Sequence, residues 1–155
     1  MRKYFIAGNW KMNKNNNEAA DLAQKIVLKA QGIENVDMVI CPPSTALASV
    51  HTVIKDSNVK LGAQNMHFEE KGAFTGEISG SFLISLGCDY IIIGHSERRK
   101  LFNETDSDVN EKIKKALELG LIPIVCVGET LEEREKGETE QIIRGEIQGA
   151  LENQV

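Results

Sequence analysis

Three cysteines, Cys41, Cys88 and Cys126, are too few and too odd a number for a disulfide framework. They lie in apolar surroundings and read as reduced, buried thiols of a cytoplasmic protein. No Cys/His spacing suggests a metal site. The chain has no basic excess: 18 Lys and Arg stand against 23 Asp and Glu, a formal net charge of −5. That argues against wholesale binding to nucleic acid or to an anionic membrane, although a small anionic substrate could still be held by a local cation. No apolar run approaches the ~20 residues that cross a bilayer. The opening "MRKYFIAGNWKMN" has an apolar stretch of about five residues, too short for a signal-peptide core, and reads as a first strand. Linkers and low-complexity stretches are missing too, so residues 1–155 read as a single domain.

What is present is a rhythm. Five short apolar runs stand out: "YFIAG" from Tyr4, "DMVIC" from Asp37, "VKLGA" from Val59, "YIIIG" from Tyr90 and "LIPIVCVG" from Leu121. The strongest are continuous, as suits parallel strands covered on both faces. Helical stripes fall between them. Ala19, Leu22, Ala23, Ile26, Val27 and Ala30 share one face, with Asn17 as N-cap, Glu18 in the first turn and Gly32 as terminator. Ser44 is placed to cap a second helix that carries Leu47, Val50 and Ile54. Phe82, Leu83 and Leu86 form a shorter stripe ending at Gly87, and Val109, Ile113, Ala116 and Leu117 another ending at Gly120. Thr130 and Glu133 have capping-box spacing. A last helix from Glu138 would bury Ile142, Ile143, Ile147, Ala150 and Leu151, with Gly145 and Gly149 each weakening it by about 1 kcal/mol. Five β-α units predict an α/β protein with a parallel sheet and right-handed crossovers. Two architectures stay open, a doubly wound open sheet and part of an eight-stranded α/β barrel.

In both, chemistry collects at the C-terminal ends of the strands. Those ends carry Asn9 and Lys11, then Ser44, then Gln64 and Asn65, then His95 and Ser96, then Glu129. Gly94 stops the fourth strand and exposes His95. "SERRKLF" reads as the first turns of a helix with Ser96 as its cap. The positive end of that helix disfavours a second positive charge, so His95 is expected to be neutral and to donate a hydrogen bond, which suits polarisation of a carbonyl. On pattern alone a capping or packing histidine is the commoner case. Lys11 could neutralise an anionic substrate, though a lysine after a strand is more often a solvated charge. Glu97 could pass protons beside His95 or simply complement the helix end. Glu129 is better read as fixing its loop, His51 and His67 as structural or exposed, and Cys126 as core. The stretch 69–80, "EEKGAFTGEISG", is a long glycine-rich loop with Phe74 and Thr75 near its tip. It closes over a ligand or docks into a partner. It has neither nucleotide-binding glycine pattern.

"AGNWKMN", "GAQN", "GAFTGEIS", "GHSERR" and "CVGETLEERE" occur here in order, and together they resemble the triosephosphate isomerase family along the whole chain. The resemblance implies a (β/α)8 TIM barrel and a homodimer. It also implies interconversion of dihydroxyacetone phosphate and glyceraldehyde 3-phosphate, a small phosphorylated triose pair, without metal or cofactor. By that likeness Asn9 and Lys11 contact substrate. His95 polarises its carbonyl and shuttles protons at the enediolate stage, and Ser96 and Glu97 belong to the surrounding network. This family is itself the type example of a histidine kept neutral by a helix N-terminus, so the charge expectation for His95 is not independent of it. The loop around Gly72, Phe74, Thr75 and Gly76 would enter the partner subunit.

Length is where the chain departs from the pattern. A barrel of this kind takes about 250 residues, and 155 residues cover about five of eight βα units. The glutamate that serves as catalytic base, the lid after it and the phosphate-binding backbone would lie beyond Val155. The first and fifth strands would then be open edges, and the segment is expected to be inactive by itself. The alternative is a non-catalytic half-barrel that self-associates through those edges. A five-stranded flavodoxin-like sheet also fits the element count, but needs the first strand between the second and third.

Overall fold

The structure, a computed structural model, describes residues 3–152; Arg2 of the opening basic pair lies outside them. In chain order the elements are β1 (Tyr4–Asn9), α1 (Asn16–Ala30), β2 (Val36–Cys41), a 3-10 turn (Ser44–Ala46), α2 (Leu47–Ile54), β3 (Val59–Ala63), α3 (Gly80–Ser85), β4 (Tyr90–Ile93), α4 (Ser96–Phe102), α5 (Asp106–Glu118), β5 (Ile122–Val125), α6 (Leu131–Glu135) and α7 (Thr139–Leu151). The strands lie side by side in sequence order, β1-β2-β3-β4-β5, and every pairing is parallel. β1 pairs with β2, not with β3, which removes the flavodoxin-like alternative. Consecutive parallel order is that of a TIM-barrel wall, here an arc of five strands. No helix among the described residues is long and apolar enough to cross a membrane.

Strand alternation divides the core. One set of side chains, Ile40, Leu61, Ile91 and Ile93, packs outward against helix residues such as Ala23, Val50, Leu83 and Ile113. The other set, Val39, Cys41 and Ile92, packs inward with Tyr90, Ile124 and Cys126. Gly62 is forced by this inner crowding, since a Cβ there would stand 2.5 Å from Cys41 Sγ. Burial on both faces holds for β4 and for the end of β3, residues 61–63, but fails at the edges. Tyr4 is 77% and Ile6 62% exposed on β1, and Ile122 is 51% exposed on β5.

Several local expectations are corrected. The N-cap of α1 is Asn15, not Asn17: the Asn15 side chain accepts the Asn17 and Glu18 N–H groups, and Glu18 accepts the Asn15 N–H at 3.0 Å. The reciprocal bond needs a carboxylate three residues on, which Asn15 has and Asn17 lacks. Ser44 makes no cap, because Pro43 leads into a 3-10 turn. Thr130 and Glu133 do form their capping box. Phe82 and Leu117 face solvent while their neighbours Leu83 and Ala116 are buried. Of the last helix only Ala150 is buried. α7 packs chiefly on α5 and α6, and Ile147 and Leu151 stay exposed. Cys126 is half-buried, not core.

Candidate active site

β1 delivers Asn9 and Lys11 to the C-terminal end of the sheet. Lys11 has φ of +53°, a left-handed conformation that costs a non-glycine residue about 1–3 kcal/mol. Three neighbours hold it there. Asn9 Oδ1 accepts the Lys11 N–H at 3.0 Å. Gln64, at the end of β3, donates its amide to the Lys11 carbonyl at 2.9 Å and to the Cys41 carbonyl at 2.8 Å. The Lys11 ammonium donates to Glu97 Oε1 at 2.6 Å. Asn9 therefore keeps its own NH2 free to donate into the cleft.

β4 delivers His95. The sequence points to Ser96 as the cap of α4, but His95 is itself the cap: its Nδ1 accepts the Glu97 N–H at 3.2 Å. Ser96 is merely the first helical residue. Backbone groups around the N-terminus supply donors and not acceptors, so a ring nitrogen fits where a hydroxyl oxygen would otherwise serve. An Nδ1 that accepts carries no proton, which leaves Nε2–H as the donor of a neutral ring. Glu97 Oε2 lies 3.6 Å from the same Nδ1, too far for a hydrogen bond, so the backbone contact sets the tautomer. The hydrogen bond from Lys11 holds the Glu97 carboxyl below its ordinary value.

Asn9, Lys11, Gln64, Asn65, His95 and Glu97 meet around one cleft of about 440 Å³. An ammonium, a neutral imidazole donor and two amides can hold an anion and polarise a carbonyl together. Beside the cleft lies a buried charge network not foreseen in the sequence. Glu104 accepts from Lys112 and, at 3.0 Å, from Arg98 Nε, while Lys112 also donates to Asn65 at 2.9 Å. Lys112 falls on the apolar stripe of Val109, Ile113 and Ala116. A lysine on such a stripe needs a buried partner, and that was the available signal.

Glu129 is not among the residues that line the cleft: it accepts from the Thr139 hydroxyl at 3.2 Å and faces Arg134 at 3.3 Å. The 69–80 loop turns at Thr75 and Gly76, where the Glu77 N–H reaches the Phe74 carbonyl at 3.0 Å. Gly76 has φ of +91°, which favours glycine. The Phe74 ring is 42% exposed and stacks 4.5 Å from His67, which stacks equally on Phe68. No His, Cys, Asp or Glu cluster among the described residues could hold a metal ion.

The sequence pattern of the triosephosphate isomerase family matches residues 4–155. The chain is 53% identical over 152 residues to the triosephosphate isomerase of Alkaliphilus oremlandii (strain OhILAs), covering 98% of this chain and 61% of that protein. It is 54% identical over 151 residues to that of Clostridium botulinum (strain ATCC 19397 / Type A), covering 97% and 60%. A crystal structure of triosephosphate isomerase from Bartonella henselae superposes with a TM-score of 0.90 at 36% identity, over 99% of this chain and 64% of that one. The chain thus spans about three fifths of the length of the curated relatives it matches. With its strand order and its motifs in place, the chain belongs to the triosephosphate isomerase family.

Proposed function

We propose that these residues serve the interconversion of dihydroxyacetone phosphate and glyceraldehyde 3-phosphate. The observation that carries the reading is the convergence of the Lys11 ammonium and the neutral His95 donor on one cleft. Lys11 draws in the anionic substrate, in exchange for Glu97. His95 Nε2–H donates to the carbonyl oxygen, and the ring relays a proton between the two oxygens of the enediolate. Asn9 donates to a substrate oxygen, Glu97 keeps the ammonium in place between turnovers, and Ser96 belongs to the surrounding network. By the family resemblance, the base that takes the carbon-bound proton is a glutamate whose position neither Glu97 nor Glu129 matches. The chemistry uses no cofactor or metal, and the free thiols suit the cytoplasm. Association of two copies through the 72–76 loop is supported by Phe74, Met12 and Phe102, all exposed. In a turnover assay on the protein carrying these residues, His95→Asn lowers kcat by about 10²–10⁴-fold. Turnover within a few-fold of the unaltered protein would refute the role.

The bare β1 and β5 edges favour a second reading for the 155-residue chain by itself, a half-barrel that self-associates without turnover. Sedimentation of that chain decides it. A monomer at micromolar concentration refutes the second reading, and a stable inactive oligomer supports it.

A further inference from the structure

We infer that Arg99 is a positioning residue for His95, acting through the carbonyl of Gly94 and clamped in turn by Asp106 and Glu146. The kinetic consequence rests on the isomerase reading above; the structural one does not. His95 leaves β4 through Gly94, whose φ is +74°. A Cβ there would lie 3.0 Å from Val109 Cγ2 and 3.3 Å from both Arg99 Nη2 and the Cys126 carbonyl oxygen. The turn that presents His95 is thus pressed between α5, the Cys126 carbonyl just after β5 and the Arg99 guanidinium.

Arg99 folds back from the last turn of α4. Its Nε donates to the Gly94 carbonyl at 2.9 Å and its Nη1 to Asp106 Oδ1 at 2.6 Å. Glu146 Oε1 stands 3.8 Å from the same Nε. The Arg99 side chain is 18% exposed, so solvent and salt screen these contacts less than surface pairs. Each partner comes from a different element. Asp106 opens α5. Glu146 lies within α7, and its second oxygen accepts the Gly128 N–H at 2.8 Å in the loop after β5. α7 approaches this closely because Gly149 has no Cβ; one would stand 2.8 Å from Asp106 Cβ. One guanidinium therefore ties the turn before His95 to α5, to α7 and to the loop after β5.

The orientation of the Gly94–His95 peptide sets the direction of the imidazole. If the Gly94 carbonyl swings free, His95 Nδ1 loses its alignment with the Glu97 N–H, and Nε2–H no longer points steadily into the cleft. A planar fork can serve a carbonyl and a carboxylate at once. A lysine head in the same place is a point charge without that geometry.

The test compares the unaltered protein with Arg99→Lys and Glu146→Gln, reading the ¹⁵N resonances of the His95 ring together with kcat and KM. The unaltered ring shows a protonated Nε2 and an accepting Nδ1. In Arg99→Lys the Nδ1 resonance moves toward that of free, tautomer-averaged histidine. In the same variant kcat falls about tenfold with KM nearly unchanged, the scale of losing one hydrogen bond to a charged group. Glu146→Gln moves both in the same direction by less. A folded Arg99→Lys with unchanged His95 resonances, or with unchanged kcat, overturns the inference. Should Arg99→Lys fail to fold, Glu146→Gln decides: a shifted Nδ1 resonance supports the role and an unshifted one overturns it. An unaltered protein without isomerase turnover defeats the isomerase reading alone, and the resonance comparison still decides the placement of His95.

Discussion

Lys11 and Lys112 both reach a glutamate at the same end of the sheet, Lys11 to Glu97 and Lys112 to Glu104. The first pair stands in the cleft, its side chains 51% and 46% exposed; the second lies beside it, 7% and 4% exposed. Their supports differ as well. Glu104 has a second cation in Arg98, and Lys112 has Asn65, whereas among the described residues the Lys11 ammonium donates to Glu97 alone. An exposed pair exchanges its partner for an incoming anion at little cost, because water and salt already weaken it. A buried pair cannot separate without leaving a charge in a medium that solvates it poorly. The same two residue types therefore give a ligand-binding cation in one place and a structural brace in the other.

Breaking the brace has the largest expected effect. Glu104→Gln leaves Lys112 and Arg98 facing a neutral amide, and removal of one partner of a buried pair costs about 3–5 kcal/mol. The urea midpoint falls accordingly with the slope unchanged. The double variant Glu104→Met, Lys112→Met recovers part of the loss, since the buried Lys112 charge is then gone and only the more exposed Arg98 lacks its partner. A midpoint that moves no more than for a surface substitution would show that the network is open to water. Next in size is Lys11→Met, read by binding of a phosphorylated triose. Loss of a charge-assisted hydrogen bond weakens affinity by about 10–100-fold, while the thermal midpoint stays close to that of the unaltered protein. Equal affinity would remove Lys11 from the site, and a large thermal loss would make it a second brace.

The difference between the two lysines also marks what could be read from the sequence. The β-α rhythm was legible because each element carries its own period, as in the Ala19–Ala23–Ala30 face of α1. His95 and Lys11 were legible because strand ends in this fold class share one side. The motifs around both residues then pointed to the family. What the pattern could not supply was the neighbour. An apolar stripe shows that a face is greasy, not that something covers it. Phe82 and Ile147 have the spacing of core residues and are exposed. Lys112 looks out of place in the sequence for the opposite reason: its partner, Glu104, is eight residues back and reaches it only once α4 and α5 fold together. Capping was legible where both halves of the box sit three residues apart, as in Thr130 and Glu133. It was hidden where a histidine ring takes the part that a serine hydroxyl usually plays, one residue before Ser96.

Acid separates the two regions by a smaller margin. Burial alone would push the Glu104 carboxyl up, but the hydrogen bonds and charges of Lys112 and Arg98 outweigh it and hold it below its ordinary value of 4.5. Glu97 is also held below 4.5, chiefly by the hydrogen bond from Lys11. A carboxyl depressed in the folded state stabilises the fold above its unfolded value, and that stability is lost as pH falls through the folded value. Urea unfolding measured from pH 7 down to pH 3 should therefore lose stability below about 4.5, the unfolded reference, and Glu104→Gln should flatten that fall. Glu97→Gln should flatten it least, because its pair stands in solvent and exposed pairs often contribute nothing measurable. The effect of Glu97→Gln belongs in the binding assay, where the Lys11 ammonium loses its resident anion. If Glu97→Gln flattened the acid limb as much as Glu104→Gln, solvent would not be what distinguishes the two pairs, and Lys11 would brace the fold as firmly as Lys112 does.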